Sequence, residues 1–212
     1  MATRDRSPGV LDLQLDKGRP LSEPLDGPAA TFHRRLAKKH DAWVGGCLYE
    51  GAPRGCFDTF LLAGPDGSEF THRKRTPFGW ENYFFEPGTD PIVHETPPGK
   101  VALVVCAESF DARLLREAAA AKPDLALIGY SAPGGAGWLQ KIPGGLPRDV
   151  LRRTSARWAR VCGAPVVVSS VAGTWRSGIP GIPFKVRMEF LGQSGLLDPS
   201  GRPSRFWSGR RG

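Results

Sequence analysis

Lys74 and Glu81 stand seven residues apart in HRKRTPFGWENYFFEPG, residues 72–88, with a Pro-Phe-Gly turn between them. An ammonium and a carboxylate on either side of a tight turn have three readings: a surface hairpin, a solvated ion pair, or a pair held for chemistry. A third residue bears on the choice. Cys106 ends the apolar run VALVVC and precedes a helical pattern, so it is expected at a sharp strand-to-helix turn. Such a turn displays a nucleophile, and the free N–H groups of a helix start face its substrate and favour a thiolate. A plain buried cysteine is the alternative at that position. A thiol attacking a carbonyl or nitrile carbon needs a base, a cation or N–H pair for the developing oxyanion, and a proton donor for the leaving amine. Glu can serve as base and Lys as cation. Each alone is weak evidence; Cys106, Lys74 and Glu81 in this order, on these element ends, point more strongly to a catalytic site.

The elements that must position these residues can be read from periodicity. Ala29 to His40 is an amphipathic helix, with Phe32, Leu36 and Ala37 inward and a solvated basic face of Arg34, Arg35, Lys38 and Lys39. AWVGGCLYE is a strand with close-packing glycines. FDTFLLAGPDG is a second strand, and EFTHRK a third, antiparallel to it through the Pro-Asp-Gly turn. His72, adjacent to Lys74, is read as facing the other side and as non-catalytic. PIVHETPPGKVALVVCAES holds two strands around Pro-Pro-Gly, the second buried on both faces. FDARLLREAAAAKPD is a helix with Leu114, Leu115 and Ala118 inward, ended by Lys122 and Pro123. LALIGYSA is a buried strand. PRDVLRRTSARWARVCG is a helix with Val150, Leu151, Trp158 and Val161 inward, stopped at Gly163. PVVVSSVAG is a strand, and FLGQSGLLDPSGRP a strand and turn. The order predicts an α/β domain with a mixed sheet.

Composition sets outer bounds. An apolar fraction of 40% in 212 residues suffices for one domain with a hydrophobic core. No apolar run reaches the ~18 residues of a membrane span, and MATRDRSPGV lacks a signal-peptide core; a cytoplasmic protein is expected. The net charge of +8 raises nucleic acid as a partner. The arginines are dispersed and no nucleic-acid motif is present, so that reading is set aside. None of the four cysteines has CxxC spacing, which argues against a zinc or redox site; Cys47, Cys56 and Cys162 read as core or near-core thiols. Trp175 and Trp207 read as packing or interface residues.

Several stretches resemble the nitrilase superfamily of carbon–nitrogen hydrolases. They are Arg73, Lys74, Pro77 and Glu81 in an R-K-x-x-P pattern followed by Glu, then Phe85, Glu86, Pro87 and Gly88 as F-x-P-G, then TPPGK before an apolar strand that ends at Cys106, Ala107 and Glu108 as C-x-E. LAKKHDAWVGGCLYE, FDTFLLAGPDG and GQSGLLDPSG extend the likeness over roughly residues 25–203. The resemblance implies an α-β-β-α sandwich with mixed sheets, dimers or higher homo-oligomers stacked sheet to sheet, and a small amide or nitrile substrate. It implies no metal and no cofactor. It gives Cys106 as the nucleophile, Lys74 and the Ala107 backbone N–H as stabilisers of the tetrahedral intermediate, and Glu81 as a second carboxylate. An acyl-thioester would form, an amine would leave, and water would release the acid. The stretch after the cysteine helix lines the family's pocket, which suggests Tyr130, Ser131 and Trp138. Glu108 reads as a pocket residue or, more simply, as a helix-start carboxylate.

The chain departs from the pattern at both ends. The resemblance calls for a general-base Glu in a Phe-Pro-Glu strand end, and residues 1–27 hold neither that motif nor room for the strand–helix–strand unit before it. Glu23, in SEPLDGP, resembles the stretch that follows the base and is not assigned that role. The expected organisation is a poorly ordered segment 1–27, a hydrolase domain 28–203, and a basic tail 204–212. Three readings follow: an incomplete product of an active hydrolase, an inactive relative acting as an interaction protein, or a site completed by a partner.

Overall fold

The computed structural model describes residues 14–15, 19–20, 22–134, 149–178 and 185–207. The chain divides into two compact units, one ending at Pro91 and the other beginning at Ile92.

In the first unit, β1 (Gln14–Leu15) and β2 (Arg19–Pro20) pair antiparallel. Helix α1 (Pro28–His40) opens with proline at its first turn, where the missing N–H costs nothing, and places Lys38, Lys39 and His40 at its negative end. Glu23 is fastened here, accepting the Ala29 N–H at 2.6 Å, while its backbone bridges to Glu50. The three-stranded antiparallel sheet runs β3 (Val44–Ala52), β4 (Gly55–Ala63), β5 (Glu69–Arg73) in that order. The turn between β4 and β5 closes with the Gly64 N–H on the Ser68 carbonyl at 2.8 Å. As the central strand, β4 is buried continuously from Phe57 to Ala63.

The inward face of α1 differs from the expectation. Ala30 and Ala37 are buried and pack with Leu48 and Leu61, while Phe32 is 48% exposed. A seven-residue step returns to the same helix face, and Phe32 lies two residues, or about 200°, from Ala30. The sheet comes so close that an added Cβ at Gly46 would lie 2.4 Å from His33 Nε2. Nor is the basic face simply solvated: Arg34 donates to the Leu25 carbonyl at 2.7 Å and pairs with Glu69 at 2.8 Å.

The second unit is built on a mixed six-stranded sheet. Its strands are β6 (Val93–Thr96), β7 (Gly99–Val105), β8 (Leu125–Tyr130), β10 (Val166–Ser170), β13 (Ser194–Leu197) and β14 (Pro203–Trp207). The order is β14-β13-β10-β8-β7-β6, with β7, β8 and β10 parallel and the outer pairs antiparallel. Helices α2 (Ala112–Ala121) and α3 (Val150–Cys162) share a core with alternate sheet residues: Ala102, Val104, Ala126, Ile128, Val166, Val168 and Leu197. Val101, Leu103 and Val105 are buried as well, so β7 is covered on both faces as expected. A separate antiparallel sheet has the order β11 (Ala172–Gly178), β12 (Lys185–Leu191), β9 (Pro133–Gly134). No helix among the described residues is long and apolar enough to cross a membrane.

Two further expectations change here. In α3, Leu151, Ser155, Trp158 and Ala159 are buried, but Val161 is 47% exposed. The inward stripe advances by steps of three and four, and Val161 falls ten residues from Leu151, about 80° off it. The C-terminal stretch is not only a tail, because residues 203–207 add a strand to the sheet.

Asp111 caps α2, accepting the Arg113 backbone N–H at 2.8 Å. Asp111→Ala is expected to cost about 1 kcal/mol in urea unfolding. The Arg113 hydrogen bond holds the Asp111 carboxyl below its ordinary range, with burial opposing. This contribution is therefore full above the unfolded carboxyl's pKa and fades as pH falls through the lowered folded value.

Candidate active site

Lys74 follows β5 and extends its ladder by one step, its N–H bonding the Asp58 carbonyl of β4 at 2.8 Å. Its side chain is 1% exposed. The ammonium lies 2.6 Å from Glu81 Oε2 and 3.4 Å from Asp58 Oδ2. Glu81 sits in a short 3-10 helix, Gly79–Tyr83, and the same Oε2 accepts the Phe78 N–H at 2.8 Å. One carboxylate thus closes its own turn and holds the ammonium. The chain then returns along β5, the Gly88 N–H bonding the Lys74 carbonyl at 2.8 Å. An added Cβ at Gly88 would lie 2.1 Å from the Arg73 carbonyl oxygen, so the F-x-P-G glycine is needed for this close return.

The neighbouring Arg73 serves a different network. Arg73 pairs with Glu50, one contact being 2.9 Å, and lies 4.6 Å over the Phe57 ring; Thr59 also donates to Glu50 at 2.8 Å. Burial pushes the Glu50 carboxyl up, but the Arg73 and Thr59 hydrogen bonds bring it below its ordinary range. Tyr49, opposite Asp58 in the sheet, has its phenol pushed up to about 12, first by burial and then by the charges of Asp58 and Glu81. His72 lies two residues before Lys74, and a two-residue step along a strand keeps the same face, contrary to the expectation. It is fully buried and its Nδ1 donates to the Pro91 carbonyl at 3.1 Å.

In the second unit, Cys106 opens a 3-10 turn, Cys106–Phe110, at the end of β7. Its φ of +47° is left-handed, which costs a non-glycine residue about 1–2 kcal/mol. The surroundings hold that shape. Glu108, fully buried, reaches back to accept the Val105 N–H at 2.9 Å. Tyr130 OH donates to Ser109 Oγ at 2.9 Å, and Trp158 Nε1 donates to the Ser109 carbonyl at 2.8 Å. Burial pushes the Tyr130 phenol up to about 12, so it remains a neutral donor.

Among the sequence-predicted residues, Lys74 and Glu81 meet directly within the first unit. In the second, Cys106 and Ala107 begin the turn that Glu108 and Tyr130 brace. Ser131 is exposed, and Trp138 lies outside the described residues. Asp58 was not singled out from the sequence. Its signal was a carboxylate inside the apolar run FDTFLLA, a position that burial makes costly unless a cation answers it. Among the described residues no group of three or more His, Cys, Asp or Glu side chains is placed to hold a metal ion.

Comparison with known proteins agrees with this architecture. The family profile for carbon-nitrogen hydrolase matches residues 13–205, and the chain belongs to that family. No curated protein matches. Among solved structures, XC1258 from Xanthomonas campestris, a CN-hydrolase superfamily protein with an arsenic adduct in its active site, is 18% identical with a TM-score of 0.71, over 90% of this chain and 68% of that one. Nit3 from Saccharomyces cerevisiae, of branch 10 of the nitrilase superfamily, is 18% identical with a TM-score of 0.66, over 91% of this chain and 65% of that one. A mutant amidase from Nesterenkonia sp. AN1 in complex with butyramide is 20% identical with a TM-score of 0.64, over 87% of this chain and 64% of that one. The chain thus spans about two thirds of the length of these relatives.

Proposed function

We propose that this protein hydrolyses a non-peptide carbon–nitrogen bond of a small amide or nitrile, with Cys106 as nucleophile. The observation that carries the reading is the left-handed backbone at Cys106, held by Glu108, Ser109, Tyr130 and Trp158. Strain of this kind persists where surrounding contacts over-determine it, and it is common at reacting residues. The sulfur attacks the substrate carbon, and the displaced electron pair gathers on oxygen or nitrogen; the family resemblance gives Lys74 and the Ala107 N–H as the groups that stabilise it. For an amide, collapse expels the amine and leaves a thioester, which water hydrolyses to the acid. Glu81 holds the Lys74 ammonium in place. Small aliphatic amides are the first class to try, since the Nesterenkonia enzyme binds butyramide. A cytoplasmic homo-oligomer goes with this reading.

The test is iodoacetamide labelling at neutral pH, followed by intact-mass analysis and peptide mapping. Cys106 is expected to label first, ahead of the exposed Cys47. Cys162 stays slow, because burial pushes its thiol up to about 11. Equal labelling of Cys106 and Cys47 would overturn the reading.

A further inference from the structure

The contacts that brace the Cys106 turn converge on one residue. Ser109 is held twice, its Oγ accepting the Tyr130 phenol at 2.9 Å and its carbonyl accepting the Trp158 indole N–H at 2.8 Å. Trp158 comes from α3, 49 residues further along the chain. It is the largest fully buried side chain among the described residues, and it belongs to the core cluster against which Cys106 packs. A buried indole N–H is a donor only and needs an acceptor. Here the acceptor is a carbonyl of the nucleophile's own turn, which has a mechanical consequence. A peptide unit is planar, so holding the Ser109 carbonyl holds the whole Ser109–Phe110 peptide. At the other end of the turn, Glu108 holds the Val105 N–H. Cys106, with its φ of +47°, lies between these two anchors. Helix α3 is itself seated closely. An added Cβ at Gly201 would lie 2.7 Å from the Ala156 carbonyl oxygen, two residues before Trp158, so the helix has no slack on that side.

We infer that Trp158 is a positioning residue for the proposed nucleophile, acting through the Ser109 carbonyl; the inference rests on the reading of Cys106 as nucleophile. The indole N–H holds the turn in the left-handed form that presents the sulfur. Without it the Ser109 peptide is free to rotate, Cys106 relaxes towards the ordinary backbone regions, and the sulfur spends less time where it can attack. The alternative is a Trp158 that only fills the core and meets its acceptor by proximity.

The experiment removes the N–H and keeps the rings. Benzothienylalanine placed at position 158 has the fused rings of Trp with sulfur in place of N–H, and Trp158→Phe is the simpler variant beside it. Both are followed by iodoacetamide labelling of Cys106, Cys162 and Cys47, and by kcat and KM for butyramide. Loss of the one hydrogen bond in the isostere is expected to slow Cys106 labelling and to lower kcat about tenfold, with KM little changed. Cys162, on the same helix, should keep its slow rate, because the packing survives. A core-filling Trp158 gives another pattern: the isostere labels and turns over at wild-type rates, while Trp158→Phe loosens α3 and speeds labelling of Cys162. That pattern overturns the inference while Cys106 stays selectively reactive. The isostere decides even where Trp158→Phe fails to fold, since its shape is that of the native side chain. Equal labelling of Cys106 and Cys47 in the wild type instead overturns the reading beneath it, and the inference with it.

Discussion

Cys106→Ala is expected to abolish butyramide hydrolysis, with a loss on the order of 10⁶-fold, the scale seen when a covalent nucleophile is removed. The same variant should keep its stability nearly unchanged, because Ala retains the Cβ that makes the left-handed backbone costly and the bracing hydrogen bonds do not involve the sulfur. Cys47→Ala is the control. Cys47 is exposed on β3, opposite Phe60, and its removal should leave turnover at the wild-type rate. Steady-state assay of the two variants side by side decides the matter. Equal loss in both, or no loss in Cys106→Ala, would remove Cys106 from the mechanism.

Lys74→Met should be the most destabilising single change in the first unit. It leaves buried Asp58 and partly buried Glu81 around an apolar side chain, where breaking such a group costs about 3–5 kcal/mol. Urea unfolding at neutral pH reads this as a lowered midpoint. Turnover should fall as well under the proposed mechanism, in which Lys74 is the cation that stabilises the substrate oxygen. A stability loss below about 1 kcal/mol, the range of exposed pairs, would show that the ammonium behaves as a surface charge. The prediction differs from that for Cys106→Ala in kind: one variant remains folded and inert, the other is inert and weakened.

The Lys74–Glu81 ion pair was legible because it is local. Lys74 and Glu81 are seven residues apart across one turn, and their ion pair closes without help from distant chain. Cys106 was marked by the end of an apolar run. Asp58 was not legible, because its meaning depends on a strand pairing that brings residue 58 to residue 74. The back-reaching hydrogen bond of Glu108 and the Tyr130–Ser109 contact are likewise tertiary facts. In the fold, helix positions were well read but their rotation was less so. Phe32 and Val161 are apolar and lie near the inward stripe in sequence, yet alanines and Trp158 take the buried places because the packing distance admits them. Strand β11 escaped notice because TWRSG lacks an apolar alternation, whereas β12 carries one in KVRMEF, with Val186, Met188 and Phe190 at every second place, and could have been read.

The end of β5 carries Arg73 and Lys74 in succession, serving Glu50 on one side and Asp58 with Glu81 on the other. This dipeptide works as a key that tells the hairpin which alignment is correct. Sliding β5 by one residue would send every side chain to the opposite face. When the slide puts Lys74 in the place of Arg73 and Arg75 in the place of Lys74, the total charge on each face survives, since all three are cations, but the planar fork meets the pocket shaped for a point charge, and the point charge the carboxylate shaped for a fork. Misaligned hairpins are thus rejected by shape where charge alone would admit them. Lys74, part of the proposed chemistry, and Arg73 beside it thus also guard the hairpin against misfolding during its assembly.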